Sequence, residues 1–169
     1  MRALDLGCWK NKKPGAFGVD FHKYSGVDLK WDLEKPLPKK YWNSFDEVYS
    51  AGLLEHLGNP QFFLENCRKY LKKGGKLEII TDNADYWRFH FVHRPVIGFF
   101  GAYHATLWNK EDKSLQTQHK MLFQAGHLET LLNLAGFKKI KADFYYQKNL
   151  DVLLPRKFGS MYLTATAEK

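Results

Sequence analysis

The stretch Leu4-Asp5-Leu6-Gly7-Cys8, followed eleven residues after Gly7 by Gly18-Val19-Asp20, decides how this chain is read. Its residues predict a buried strand that breaks at a glycine, then a second strand that ends in an acid. A glycine at that break lets bare backbone approach a ligand, and a carboxylate at the end of the neighbouring strand caps the pocket. The pair therefore predicts a site for a nucleoside-bearing cofactor.

Outward from that stretch, Asp28 to Leu33 reads as a strand ending at Asp32-Leu33, ahead of the breaker Lys35-Pro36-Leu37-Pro38. Phe45-Asp46-Glu47-Val48-Tyr49-Ser50 alternates like a further strand. Asn59-Pro60 predicts a helix start, with Asn as N-cap and Pro at the first helical position; Phe63, Cys67, Tyr70 and Leu71 then repeat at helical spacing. Lys72-Lys73-Gly74-Gly75 reads as the end of that helix. Leu77, Ile79 and Ile80 predict a buried strand, with Thr81-Asp82-Asn83 at its carboxyl end, where open α/β sheets keep their ligands.

From Ala84 to Lys113 the pattern is irregular and rich in Tyr, Trp, Phe, His and Gly, longer than most connections in a compact domain. Regularity returns with His119 to Phe123 as a short strand or turn, then a helix carrying Leu128, Leu131, Leu132 and Ala135, closed by Gly136. Lys139 to Tyr146 and Met161 to Ala167 predict an antiparallel pair at a sheet edge, separated by a loop that holds Pro155 and Gly159.

The 169 residues suit one domain with one core. A hydrophobic fraction of 44%, with 16% aromatic, excludes wholesale disorder. The longest apolar stretch, near Val96 to Phe100, is too short to span a bilayer, and no leader-like start precedes the first strand, so a soluble, cytoplasmic protein is expected. Cys8 and Cys67 make neither a disulfide framework nor a zinc set, and reduced thiols are expected. The net charge of +8 favours a polyanionic partner such as RNA. Yet the lysines are scattered from Lys10, Lys12 and Lys13 through Lys39, Lys40, Lys72 and Lys73 to Lys138, Lys139 and Lys141, as on any solvated basic surface.

Leu4-Asp5-Leu6-Gly7-Cys8, Gly18-Val19-Asp20, Asp32-Leu33, Phe45-Asp46-Glu47-Val48, Leu54-Glu55-His56-Leu57 and Leu71-Lys72-Lys73-Gly74-Gly75-Lys76-Leu77, with the terminal Ala135-Gly136-Phe137, resemble in order and spacing the class I S-adenosylmethionine-dependent methyltransferases. The resemblance implies a Rossmann-like, doubly wound α/β fold: a seven-stranded sheet, mostly parallel with an antiparallel C-terminal strand. Residues 1–169 would form a single methyltransferase domain with an aromatic-rich, substrate-side insertion around 84–118.

It also implies roles. The Gly7 and Cys8 amides would face the carboxylate of S-adenosylmethionine, much as a helix start binds an anion, and Asp20 would accept both ribose hydroxyls. Asp32 would accept from the adenine amino group, with Leu33 packing on the ring and its backbone N–H facing a ring nitrogen. Ser50 and Ala51 would line the methionine portion, and Asp5, Trp9 and Phe21 complete the expected cofactor set. The chain departs from the family pattern in two places. Trp9 stands where a second glycine is usual, and Lys10-Asn11-Lys12-Lys13-Pro14-Gly15 replaces most of the first crossover helix.

Methyl transfer from a sulfonium is an in-line displacement that demands alignment and exclusion of water; no metal or covalent intermediate is required. A general base is needed only for a hydroxyl or protonated amine acceptor. His56, Asn83 and Tyr86 are the catalytic candidates, although Leu54-Glu55-His56-Leu57 reads equally well as the first turn of an amphipathic helix. Acceptor contacts are expected from Asp82, Asn83, Tyr86 and Arg88 and from the loop holding His90, His93, His104 and Trp108, with His119 near the site opening. His90, His93 and His104 have no acid or cysteine partner in the pattern, so no metal is expected. A small-molecule acceptor is favoured; RNA methylation and a non-catalytic cofactor- or RNA-binding module are the alternatives.

Overall fold

The computed structural model describes residues 1–86, 119–145 and 160–169. Seven strands form one sheet in the order β3-β2-β1-β4-β5-β7-β6. They are β1 (Ala3–Leu6), β2 (Phe17–Asp20), β3 (Leu29–Lys30), β4 (Phe45–Ala51), β5 (Leu71–Asp82), β6 (Lys138–Tyr145) and β7 (Tyr162–Glu168). β1 pairs in parallel with β2 and β4, β2 with β3 and β4 with β5, while β7 runs antiparallel to both β5 and β6. The expected mixed, Rossmann-like sheet is present. Its order reverses between β1 and β4, and such a switch point opens a crevice outside the carboxyl ends of the strands.

Two helices are described, α1 (Pro60–Tyr70) and α2 (Ala125–Leu134). The Asn59 side chain accepts the Phe62 N–H at 3.0 Å and Pro60 takes the first turn, as the sequence predicts. The helix ends one residue early, however. Leu71 pairs with Phe45 and begins β5, so Arg68 and Lys69 occupy the last turn, and Lys72 and Lys73 lie beyond it. β3 is likewise shorter than expected: Lys35 N–H donates to Asp32 O at 3.0 Å, which puts Asp32 and Leu33 in a turn after the strand.

Register explains the layers. Leu4, Val48, Leu77 and Ala167 stand side by side across β1, β4, β5 and β7. All four are buried in the core, where α1 packs on β4 and β5, α2 packs on β6 and β7, and the two helices touch each other. One residue further on, Asp5, Tyr49, Glu78 and Thr166 form a polar row on the opposite face. Both described α-helices contact one another and the apolar face. Residues 7–16 form turns, closed by Asn11 N–H to Cys8 O and Ala16 N–H to Lys13 O, instead of a crossover helix. Pro14, Gly15 and the lysines there supply no apolar stripe, and so short a helix is marginal without one. Lys13 covers the polar row, its ammonium 2.6 Å from Glu47 Oε1 and 4.7 Å above the Tyr49 ring.

Candidate active site

β1 ends in a turn that only glycine makes without strain. Gly7 has φ of +76°, and a Cβ there would lie 2.9 Å from Leu53 Cβ. Its N–H and that of Cys8 both donate to Val19 O, at 2.8 and 3.3 Å. This corrects the expectation that these two amides face a ligand: with turns in place of a crossover helix, they extend the ladder towards β2.

The amides of the next turn serve Asp20. Trp9 N–H donates to Asp20 Oδ2 at 2.8 Å, and His22 N–H to Oδ1 at 2.9 Å. Each carboxylate oxygen keeps a second acceptor direction, which is what a ribose diol requires. Trp9 itself has φ of 41°, a glycine-like conformation at the position where the family pattern has glycine. The residue is 51% exposed, its ring edge-on to Tyr24 at 6.2 Å, with the Lys10 ammonium 5.2 Å from the ring centre.

The neighbouring groups are buried or tied. Asp5 is 2% exposed and its Oδ2 accepts the Lys13 N–H at 2.7 Å; burial nevertheless lifts its carboxyl above the ordinary range. Burial, then the Asp5 and Asp20 charges, push the Cys8 thiol up to about 11, which keeps it an inert thiol. Ser50 Oγ donates to Leu6 O at 2.9 Å and so fastens β4 to β1 at the switch point, with Ala51 half-buried behind it.

Beyond the ends of β2 and β3 lies a cavity of about 310 Å³ lined by Phe21, Lys30, Trp31, Asp32 and Lys35. Phe21 and Asp32 were expected there, and Trp31, Lys30 and Lys35 were not. Leu33 belongs instead to the core, at 7% exposed, and Trp31 is the large aromatic lining the space. Among the described residues the buried Trp31 indole N–H has no hydrogen-bond partner. A heterocycle with ring nitrogens would satisfy that donor, so the residues present fit an adenosine-bearing cofactor.

On the other side of the switch point the chain after β4 turns at Gly52, φ +64°, into a 3-10 turn over Leu54–His56 rather than the start of an α-helix. That turn buries Glu55, whose Oε2 accepts from the Thr81 hydroxyl at 2.7 Å. Burial, followed by the Asp82 charge, raises its carboxyl to about 7. Asp82, 1% exposed at the end of β5, is raised to about 7 by burial, and its Oδ2 lies 2.9 Å from His119 Nδ1. Burial lowers the pKa of His119. The His56 and His119 rings meet edge to face at 4.3 Å. Main-chain bonding draws these segments together, since Lys120 N–H donates to Glu55 O at 2.7 Å.

Asn83 has a structural task. Its Nδ2 donates to Ser160 O at 2.7 Å, its Oδ1 accepts the Asp85 N–H at 3.0 Å, and the residue is wholly buried. It ties the end of β5 to the approach to β7. Tyr86 is buried just beyond, its N–H on Asn83 O at 3.1 Å. Arg88, His90, His93, His104 and Trp108 lie outside the described residues. The Glu55, Asp82 and His119 grouping was not read from the sequence as a unit; its one signal was a Glu-His pair directly after a strand.

A Rossmann-like sheet with a glycine turn and an acid at the ends of its adjacent strands β1 and β2, beside the switch point, defines a nucleoside-cofactor-binding α/β protein. A family model described as a methyltransferase domain matches residues 1–142. No curated protein sequence matches the chain. Among solved structures, a SAM-dependent methyltransferase from Archaeoglobus fulgidus aligns at 16% identity over 99% of this chain and 86% of its own, with a TM-score of 0.68. An S-adenosylmethionine-dependent methyltransferase from Mesorhizobium loti aligns at 16% identity over 99% and 90%, TM-score 0.68. The Burkholderia thailandensis 1,6-didemethyltoxoflavin-N1-methyltransferase aligns at 18% identity over 99% and 70%, TM-score 0.63. The chain belongs to the methyltransferase-domain family, as a class I S-adenosylmethionine-dependent methyltransferase with S-adenosylmethionine as its cofactor.

Proposed function

We propose that this enzyme methylates a small-molecule acceptor that enters beside the Glu55–His56 turn. One observation carries the reading: the Asp20 corner and the Glu55–His119 grouping both stand at the carboxyl end of the parallel strands, on opposite sides of the β1–β4 switch. Bound S-adenosylmethionine supplies an electrophilic methyl group on a sulfonium. Asp20 accepts from the ribose hydroxyls; Phe21, Trp31, Asp32 and the Leu33 backbone hold the adenine. Asp5, Gly7, Cys8, Ser50 and Ala51 shape the space for the methionine end, and Trp9 closes over it. His56, steadied by its contact with His119, faces the acceptor and takes its proton where the acceptor is a hydroxyl. Tyr86 helps to exclude water, and the rest of catalysis is alignment.

The surface favours a small acceptor over RNA. Lys12, Lys13, Lys72, Lys120 and Lys139 each pair with an acid, at Asp28, Glu47, Asp46, Glu34 and Glu168, and they are spread over the described residues instead of forming a basic stripe. Among those residues no helix is long and apolar enough to cross a membrane, and a cytoplasmic enzyme is the reading that follows from the sequence. Incubation of the enzyme with methyl-labelled cofactor and a cell extract tests the proposal. Label in a low-mass product, unaffected by nuclease, supports it; label lost on nuclease treatment assigns the acceptor to RNA, and no label in any product removes the enzymatic reading of this site.

A further inference from the structure

We infer that Glu55, His56 and His119 form a binding site for one divalent transition-metal ion on the acceptor side of the cofactor crevice. One ligand atom from each of the three lies within 4.8 Å of the others. A cation with bonds of about 2.1 Å holds opposite ligands about 4.2 Å apart and adjacent ones closer. Closing the set therefore takes small side-chain rotations and no movement of the backbone.

The surroundings are those that metal ligands need. Asp82 Oδ2 lies 2.9 Å from His119 Nδ1 and sets a carboxyl group beside that imidazole, placed to balance the charge of a bound cation. The Thr81 hydroxyl fixes the Glu55 carboxylate by donating to its Oε2 at 2.7 Å. Both supports come from the last two residues of β5, while Glu55 and His56 come from the turn after β4. His119 is tethered to that turn through the Lys120 N–H on Glu55 O. Glu55 is 2% exposed, and among the described residues no lysine or arginine pairs with it.

Two imidazoles and a carboxylate suit zinc, manganese, iron, cobalt or nickel better than magnesium or calcium, and among the described residues these three ligands leave positions open. An acceptor offering an oxygen donor would occupy one of them. That use rests on the proposed methyl transfer, whereas binding of the ion does not. With the ion bound, His56 serves as a ligand in place of its role as base: the acceptor hydroxyl, acidified by the ion, releases its proton to solvent and its oxygen pair forms the bond to the methyl carbon. The carbon–sulfur bond breaks in the same step, its electron pair remaining on sulfur.

The test is calorimetric titration of the chelator-treated full chain with Mn²⁺ and with Zn²⁺, without cofactor or acceptor, alongside the visible spectrum with Co²⁺. The expected result is one ion per chain. Affinity should fall at least tenfold in His119→Ala and in Glu55→Gln, and stay unchanged in His127→Ala, an exposed histidine on α2. Circular dichroism checks that the variants fold, and His56→Gln stands in for any that does not. The Co²⁺ spectrum should show ligand-field bands without thiolate charge transfer. No binding, equal binding by His119→Ala, or a thiolate band would overturn the site. S-adenosylhomocysteine titrated into the same samples keeps the two readings apart: cofactor product without metal removes this site alone, and metal without cofactor product removes the proposed transfer alone.

Discussion

Asp20 and the Glu55–Asp82 pair are carboxylates at the same end of the same sheet, held in different ways. Asp20, 8% exposed, accepts two main-chain N–H groups, from Trp9 and His22. Glu55 and Asp82 are almost wholly buried, partnered by the Thr81 hydroxyl and the His119 imidazole, and burial raises both to about 7. Main-chain donors set the direction of a carboxylate and leave its outer lone pairs for a ligand's hydroxyl groups. A buried carboxylate pair is instead completed by positive charge, a proton or a cation. The first arrangement suits a ligand's neutral polyol; the second suits a proton or a cation.

The largest expected effect breaks the first corner. Asp20→Ala removes two charge-assisted hydrogen bonds to the ribose, each contributing about 1.5–3 kcal/mol, so affinity for S-adenosylhomocysteine should fall by about a hundredfold or more. Glu55→Gln should leave that affinity within about threefold. Calorimetry on both variants checks the contrast, and an equal loss in the two would show that the corners are not independent.

Gly7→Ala strikes the same corner through the backbone. A side chain at φ +76° that meets Leu53 Cβ at 2.9 Å adds strain of about 1–3 kcal/mol and displaces the turn. Since a chain of this size loses about 2–4 °C of Tm per kcal/mol, a thermal melt should fall by about 3–10 °C, with weaker cofactor binding. An unchanged melt would mean that the turn adapts and the glycine serves no close approach.

How far these corners were legible differs for a physical reason. The Gly7 turn and the Asp20 strand end are local features, written in adjacent residues whose backbone preferences are strong. The sheet was legible for the same reason, because β4, β5 and β7 alternate with a period of two. Which acceptor the Gly7 and Cys8 amides would choose was not, since it depends on residues 7–16 closing as turns and carrying the ladder forward. Nor was the Glu55, Asp82 and His119 grouping, whose members come from three segments brought together by long-range bonds such as Lys120 N–H to Glu55 O and Phe123 N–H to Asp82 O. Trp31 was passed over because an aromatic before a strand-end acid reads as ordinary sheet packing.

Asp5 sharpens the comparison, for it has one main-chain donor, the Lys13 N–H, and is also buried. Burial outweighs that donor and the nearby lysines, so its folded pKa lies above the ordinary 3.8. Below pH 3.8 the carboxyl is protonated in both states. As pH rises past that value the unfolded chain ionises first, and folding stability declines until the folded carboxyl also ionises. Asp5→Asn keeps an acceptor for Lys13 and removes this decline. Its Tm should match the parent near pH 3 and exceed it by a few degrees at pH 7, measured without cofactor. A gap that closed as pH rose would reverse the assignment of burial as the dominant cause.

The smallest expected change in stability is at Trp9, where the first corner departs from the family pattern. A left-handed tryptophan carries strain of about 1–3 kcal/mol, and Trp9→Gly relieves it while keeping the N–H that Asp20 accepts. The same change removes the edge-on contact with Tyr24 and the Lys10 ammonium, worth about 0.5–1.5 kcal/mol for the aromatic pair. The two nearly cancel, so Tm should move by no more than a few degrees. Cofactor affinity need not follow. If the exposed ring closes over the bound cofactor, Trp9→Gly weakens S-adenosylhomocysteine about tenfold and lowers the protection of the bound product from solvent quenchers. If the amide is the residue's whole contribution, the affinity is that of the parent, and the corner works by its main chain alone.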